Sequence, residues 1–169
     1  CIQGFPGVSF VLVRKGFLER MRQYPKRSWY LHLTHYVDDQ GRGTIPFTPA
    51  VQVFYGFDEA LSELLEEGVA NRIQRYKKAA TLIRARMAKL GIKPMLTPER
   101  QSNTITAYSL PDGVTYDQLH DRLKAQGYVI YAGQGQLESK IFRVANMGAL
   151  TEAQLTRFLD AFEQACKPA

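Results

Sequence analysis

An apolar run near the start of the chain limits the fold more than any other feature of the sequence. Residues 8–13 (VSFVLV) are apolar except for Ser9, and they follow residues 4–7 (GFPG), whose proline and glycines predict a tight turn. A continuous apolar run of this length, rich in β-branched residues, is typical of a strand buried on both faces. Because a domain seldom begins on its own core strand, we expect the chain to be the second half of a larger protein.

The composition is typical of a soluble globular protein, and 169 residues can bury one substantial core, or one small domain plus part of another. No apolar run approaches the roughly 18 residues that span a bilayer, so we expect no membrane segment. The net charge of +6 is consistent with a solvated basic face. The two cysteines, one near each end, form neither a disulfide framework nor a metal-ligand pattern, which favours a reduced, cytoplasmic compartment.

The segment after the apolar run is predicted to be only partly regular. Residues 17–22 predict a short helix that Pro25 ends. Residues 28–36 (SWYLHLTHY) place apolar side chains at alternate positions, which predicts an extended segment. Residues 37–44 are polar and glycine-rich, so we expect a surface loop there.

Two longer helices are predicted next, over residues 50–67 and 69–90, ending at Gly68 and Gly91. The second helix has one apolar stripe and an opposite basic face. The stripe contains Val69, Ile73, Tyr76, Ala80, Ile83, Met87 and Leu90, and the basic face contains Arg72, Arg75, Lys77, Lys78, Arg84, Arg86 and Lys89. Because the basic face lacks interleaved aromatic residues, we expect no nucleic-acid binding. A long helix of this kind often links two domains, so a boundary is predicted near its middle or end.

The remainder predicts a small α/β domain. Strands are expected over residues 92–96, 104–110, 128–131 and 140–144. One helix is predicted from the cap Thr115 to residue 126, and another after the cap Thr151. The whole chain is therefore predicted to be of the α/β class.

Arg143 is the most informative polar residue of this part. It lies within an apolar strand, residues 141–145 (IFRVA), between a glycine-containing loop and a polar turn. An arginine so placed must find an anionic partner or reach solvent. Its planar guanidinium suits a carboxylate, phosphonate or phosphate. A salt bridge to an aspartate or glutamate of the chain is the structural alternative.

Thr48 also allows two interpretations. It precedes Pro49, which suits the first position of a helix, so Thr48 is predicted to be the N-cap of the helix over residues 50–67. A free hydroxyl at a helix N-terminus can also contact a phosphate. The sequence leaves both roles open.

Other candidate sites carry weaker signals. His32 and His35 have the spacing of two metal ligands on a helix, but no further ligand is evident nearby and their segment is predicted to be extended. Asp38 and Asp39 lack the spacing of a calcium loop. Residues 133–135 (GQG) lack the strand–turn–helix context of a dinucleotide site. We therefore expect no metal site.

Three stretches resemble the class V (fold-type I) pyridoxal-phosphate aminotransferases. Residues 1–7 (CIQGFPG) are similar to the segment that directly follows the Schiff-base lysine of that family. Residues 47–49 (FTP) resemble its Phe-Thr-Pro loop, and residues 142–148 (FRVANMG) resemble the strand with its substrate-binding arginine. The stretches occur in the family's order, and the similarity extends over essentially the whole chain.

This resemblance implies specific roles. Arg143 would bind the acidic group of the substrates, and Thr48 would donate to the phosphate of pyridoxal 5'-phosphate, in the family from the neighbouring subunit of a homodimer. The Schiff-base lysine would lie immediately before Cys1, so no catalytic residue is assigned within the chain. Cys1 is then either a true terminus or the residue after a cofactor-modified lysine. The other cofactor contacts would lie in the missing N-terminal half.

The resemblance also implies an activity and a domain division. The opening segment is most similar to the branch that moves the amino group of 2-aminoethylphosphonate to pyruvate, giving phosphonoacetaldehyde and alanine. Alanine–glyoxylate or serine–pyruvate transfer, or a non-catalytic anion-binding fragment, are the alternatives. Residues 1–80 would complete the large cofactor-binding domain with its linking helix, and residues 81–169 would form a small C-terminal domain with a mostly antiparallel sheet.

Overall fold

The computed structural model describes residues 1–167, which form six α-helices and a three-stranded sheet. The helices are α1 (Lys15–Arg22), α2 (Leu33–Gly41), α3 (Val51–Glu67), α4 (Val69–Lys89), α5 (Tyr116–Lys124) and α6 (Glu152–Ala165). The strands are β1 (Ile105–Ser109), β2 (Tyr131–Ala132) and β3 (Ile141–Ala145), and short 3₁₀ turns cover Pro98–Arg100 and Gly135–Leu137. The mixed α/β class is confirmed. Within this range, no helix is long and apolar enough to span a membrane.

The chain divides into two compact units. The first unit is Gly4–Glu63, and the second unit combines Cys1–Gln3 with the described residues from Leu64 onward. The predicted boundary at residue 80 lies within α4 and stays a prediction.

In the first unit, the predicted strand over residues 8–13 is wrong. These residues form no strand, and Phe10, Val11 and Leu12 are exposed, Leu12 by 91%. A strand requires a hydrogen-bonded neighbour. Within residues 1–167, no segment pairs with this one. The apolar run therefore has the composition of a buried strand, but the described residues contain no neighbouring strand with which it pairs.

The prediction for residues 28–44 is also wrong, because α2 crosses the expected extended segment and loop. Trp29 and Leu31, the apolar side chains of the supposed alternation, are both largely exposed. The Ser28 hydroxyl accepts a hydrogen bond from the Leu31 amide at 3.1 Å, which forms a turn before the helix. Near the C-terminal end of α2, the Asp39 carbonyl accepts a hydrogen bond from the Thr44 amide at 2.9 Å, and this contact helps to end the helix.

The second unit has its core between the sheet and three helices. The strand order is β1-β3-β2, and both pairs are antiparallel. Helices α4, α5 and α6 cover one face of the sheet. The largest fully buried side chains there are Met87, Tyr108, Leu119, Leu123, Phe142, Leu159 and Phe162. The predicted caps are confirmed, because Thr115 and Thr151 each form a capping box with the glutamine three residues later.

Two predicted strands of this unit need correction. Residues 92–96 form only an isolated antiparallel bridge between Pro94 and Tyr108, with hydrogen bonds from the Met95 amide to the Ala107 carbonyl at 2.9 Å and from the Ser109 amide to the Lys93 carbonyl at 3.1 Å. The strand expected over residues 128–131 is instead β2, which begins at Tyr131. The remaining strands and long helices lie within one or two residues of their predicted bounds.

Candidate functional site

Arg143 lies in the middle of β3, the central strand of the sheet. Its Cα partners are Ala107 on β1 and Tyr131 on β2, so these three side chains share one face. Its neighbours Phe142 and Val144 point to the opposite face and are buried. The alternation therefore directs Arg143 away from the core, where its side chain is half-buried.

The guanidinium of Arg143 is anchored at one nitrogen. Its Nε donates a hydrogen bond to the Ala132 carbonyl at 2.8 Å. Among the described residues, no carboxylate lies within salt-bridge distance of Arg143, so the structural alternative of an internal salt bridge is not observed. Both Nη atoms are therefore available to an anionic group, which they could bind through two parallel hydrogen bonds.

The loop before β3 depends on a glycine. The Gly133 amide donates to the Ile141 carbonyl at 3.1 Å. A Cβ at Gly133 would overlap the Leu137 carbonyl group, with only 2.6 Å to its carbon, and would lie 2.8 Å from the Ile141 Cγ1. Only glycine allows this close approach, which positions the carbonyl that holds Arg143.

Thr48 belongs to the first unit, and the prediction that it caps a helix is wrong. Helix α3 begins at Val51, and its first helical hydrogen bond runs from the Phe54 amide to the Ala50 carbonyl at 3.1 Å. Two residues thus separate Thr48 from the first turn. Its side chain is exposed and its hydroxyl has no partner among residues 1–167. Its role toward a phosphate stays a prediction.

The weaker candidates are engaged in local contacts. His35 lies on α2, with its Nε2 3.3 Å from the Asp39 carboxylate, and the His32 Nε2 lies 2.8 Å from the Thr34 hydroxyl. Asp38 accepts two hydrogen bonds from the Arg22 guanidinium, which lowers the pKa of that carboxyl. In the described part of the chain, no group of three or more histidine, cysteine or acidic residues could hold a metal ion.

A cluster of charged residues joins the end of α3 to α4 within the second unit. The Glu67 carboxylate accepts from the Arg72 Nε at 2.6 Å and from the Arg75 Nε and Nη2 at 2.7 and 3.0 Å. Arg72 is only 4% exposed, although α4 is strongly basic. These hydrogen bonds, first from Arg75 and then from Arg72, lower the pKa of Glu67 to about 2.

The same cluster holds two distant parts of the chain. The Arg72 Nη1 donates to the Ile2 carbonyl at 3.1 Å, and the Arg75 Nη1 donates to the Gly148 carbonyl at 2.8 Å. The Tyr76 hydroxyl accepts from the Gln3 side-chain amide at 2.8 Å and from the Gly148 amide at 3.0 Å. We call Glu67, Arg72, Arg75 and Tyr76 the α4 polar cluster.

Sequence reasoning did not find this cluster. It placed Arg72 on a solvated face, whereas Arg72 is buried and the predicted stripe members Val69 and Ile73 are exposed. The available signal was the acidic Glu67 just before the Gly68 break, followed by two arginines on one side of the next helix. The contacts of Arg72 and Tyr76 with the opening residues are tertiary contacts, so they produce no periodic pattern in the sequence.

We expect acid to weaken the contribution of Glu67 to stability. Its folded-state pKa of about 2 lies below the ordinary value of 4.5, so its stabilisation is present above pH 4.5 and is lost as the pH falls toward 2. Urea unfolding of the wild type and Glu67→Gln between pH 6 and pH 2 should show a stability difference that shrinks on acidification. Glu66→Gln, which changes an exposed neighbour on α3, is the control. A difference independent of pH would contradict this assignment.

The chain is similar to known proteins in both sequence and fold. No family model matches the chain. The chain is 36% identical over 172 residues to 2-aminoethylphosphonate–pyruvate transaminase of Klebsiella pneumoniae subsp. pneumoniae, an alignment that covers 98% of this chain and 46% of that protein. Among solved structures, alanine–glyoxylate aminotransferase from Nostoc sp. matches with a TM-score of 0.80 at 24% identity, over 91% of this chain and 42% of that one. Pyridoxamine–pyruvate aminotransferase from Mesorhizobium loti matches with a TM-score of 0.73 at 26% identity, over 91% and 40%.

These similarities agree with the resemblance found in the sequence. The chain spans about half the length of the curated relatives it matches. The Nostoc structure supports the fold alone, whereas the transaminase sequence from Klebsiella aligns with 98% of the chain at 36% identity. Sequence and fold together show that the chain is similar to part of the 2-aminoethylphosphonate–pyruvate transaminases and shares the fold of part of the solved aminotransferases.

Proposed function

We propose that this chain is part of a pyridoxal-phosphate-dependent aminotransferase that moves the amino group of 2-aminoethylphosphonate to pyruvate. The observation that supports this proposal best is the 36% identity, over 98% of the chain, to proteins named for that reaction. In the overall exchange the donor becomes phosphonoacetaldehyde and pyruvate becomes alanine, so no external oxidant or reductant is consumed.

Arg143 would bind the acidic group of each substrate. Its Nε is held by the Ala132 carbonyl, and its side chain lies on the face of the sheet opposite to the buried Phe142 and Val144. A guanidinium anchored in this way can form two hydrogen bonds to a carboxylate or phosphonate. This contact would orient the substrate so that its reacting carbon faces the catalytic group.

Thr48 fits a role toward the cofactor, because its hydroxyl is exposed and free to donate to a phosphate. Pyridoxal phosphate, when bound, supplies the electron sink of the reaction. The lysine that holds it and moves the proton would lie immediately before Cys1. Thr48 would act from the neighbouring subunit of a homodimer.

The proposed function also implies a domain division. Residues 1–80 would complete the large cofactor-binding domain, and residues 81–169 would form the small domain.

The test is an activity assay of the full-length protein, including the residues before Cys1, loaded with pyridoxal phosphate. We expect alanine to form from 2-aminoethylphosphonate and pyruvate. Alanine with glyoxylate and serine with pyruvate are the comparison pairs, and a preference for either would replace the proposed substrates. Absence of transfer with every pair, or absence of a lysine before Cys1, would favour a non-catalytic anion-binding module.

A further inference from the structure

We propose that the α4 polar cluster sets the position of the opening segment, Cys1–Gln3, relative to the loop that follows β3. This inference rests on the proposed function: the cluster would set the distance between the lysine expected before Cys1 and the substrate-binding Arg143. Glu67, Arg72, Arg75 and Tyr76 would thus be positioning residues that touch neither substrate nor cofactor.

The cluster holds the opening segment at two successive residues. Arg72 donates to the Ile2 carbonyl, and the Gln3 side chain donates to the Tyr76 hydroxyl. Gln3 has a φ of 69°, and it is the one non-glycine residue with positive φ in the described part of the chain. A positive φ in a non-glycine residue costs free energy, and it persists only when surrounding contacts stabilise it. The hydrogen bonds to Arg72 and Tyr76 provide this stabilisation at Ile2 and Gln3.

The cluster also binds the loop after β3, through both the carbonyl and the amide of Gly148. Arg75 donates to the Gly148 carbonyl, and the Gly148 amide donates to Tyr76. Gly148 has a φ of 106°, a conformation that other residues rarely adopt. The loop is therefore shaped to meet the cluster, and it continues directly from the strand that carries Arg143.

The Tyr76 hydroxyl is the shared point of the two connections. A phenol oxygen has two lone pairs, and here they accept from Gln3 and from Gly148. Tyr76 is 5% exposed, so water competes little for these bonds. Glu67 holds Arg72 and Arg75 together. A shift of the opening segment would consequently be transmitted to the loop after β3.

Gln3→Gly is the decisive variant, because glycine adopts a φ of 69° without strain while the side-chain link to Tyr76 is lost. In the full-length enzyme we expect kcat to fall about tenfold, with a nearly unchanged KM for pyruvate because Arg143 is intact. The thermal midpoint should stay close to that of the wild type. Gln3→Glu should retain kcat, since the Tyr76 hydroxyl can donate to the new carboxylate.

Hydrogen–deuterium exchange gives a readout that does not depend on activity. In Gln3→Gly and in Tyr76→Phe, amide exchange in residues 146–150 should be about tenfold faster than in the wild type, a change of about 1.4 kcal/mol in protection. Tyr116→Phe is the control, because it removes a comparable hydroxyl bond, to the Ile130 carbonyl at 2.9 Å, on α5.

The outcomes separate the two proposals. An inactive wild-type enzyme would overturn the proposed function, while faster exchange in the loop after Gln3→Gly would still support the positioning role. An active wild type with unchanged kcat and unchanged exchange in Gln3→Gly would overturn the positioning role. A kcat that falls only in proportion to a loss of folded protein would overturn it as well. If Tyr76→Phe does not fold, Gln3→Gly decides alone.

Discussion

Replacing Arg143 by alanine in the full-length enzyme is expected to lower kcat/KM for pyruvate about 100-fold. Two charge-assisted hydrogen bonds from the Nη atoms to a carboxylate contribute about 3 kcal/mol together, and each 1.4 kcal/mol is a factor of ten. Fold stability should change little, because the one hydrogen bond that Arg143 makes in the described chain is from its Nε to a backbone carbonyl. Steady-state kinetics with pyruvate and with 2-aminoethylphosphonate would measure the effect.

Two further variants make this result specific. Arg143→Lys keeps the charge but loses the planar fork, so it should recover only part of the lost activity. Arg86→Ala removes an arginine of the same unit that pairs with Asp160 and Glu163 at 2.6 and 3.3 Å, and it should leave kcat/KM unchanged. If Arg143→Ala retained full activity toward every acidic substrate, the substrate-binding role would be wrong.

Replacing Gly133 by alanine is expected to destabilise the second unit by about 3 kcal/mol, at the upper end of the usual cost of overpacking. The added Cβ would overlap the Leu137 carbonyl group, whose backbone atoms cannot rotate away as a side chain could. The loop between β2 and β3 must shift to make room. Because the neighbouring Ala132 carbonyl holds Arg143, the anion-binding geometry should deteriorate with the stability.

Urea unfolding followed by circular dichroism would measure this loss. Gly16→Ala is the matched control, since an added Cβ on α1 meets nothing within 4 Å and alanine favours the helix. We expect that variant to be at least as stable as the wild type. A Gly133→Ala protein with a wild-type unfolding midpoint would show that the loop can move without cost, and the close contact of Gly133 with Leu137 would then not restrict this position.

The parts of the fold that were predicted correctly depend on local signals. The caps Thr115 and Thr151 each satisfy helix amides through the glutamine three residues later, within one turn of chain. Leu119 and Leu123 lie one helical turn apart and are both fully buried, as their spacing predicts. Such features identified α5 and α6 and placed Arg143 in a strand between buried neighbours.

The errors occurred where distant contacts decide the outcome. The apolar composition of residues 8–13 indicates a buried strand, but pairing depends on neighbours that residues 1–167 do not provide. Residues 28–36 alternate like a strand, yet a turn at Ser28 leads into α2 instead. Periodicity alone assigned Arg72 to the solvent, because it cannot show that Glu67 and the Ile2 carbonyl meet that side chain.

The sequence by itself determined the α/β class, the long helices, the position of Arg143 and the family resemblance, because these follow from side-chain spacing and short motifs that act over a few residues. Only the tertiary structure decided that Arg143 has no acidic partner in the described chain, that Gly133 must lack a Cβ, and that Tyr76 joins Gln3 to Gly148. These facts depend on which atoms approach each other across many residues of chain. Hydrogen bonds and van der Waals contacts act over a few ångströms, so no local pattern records them.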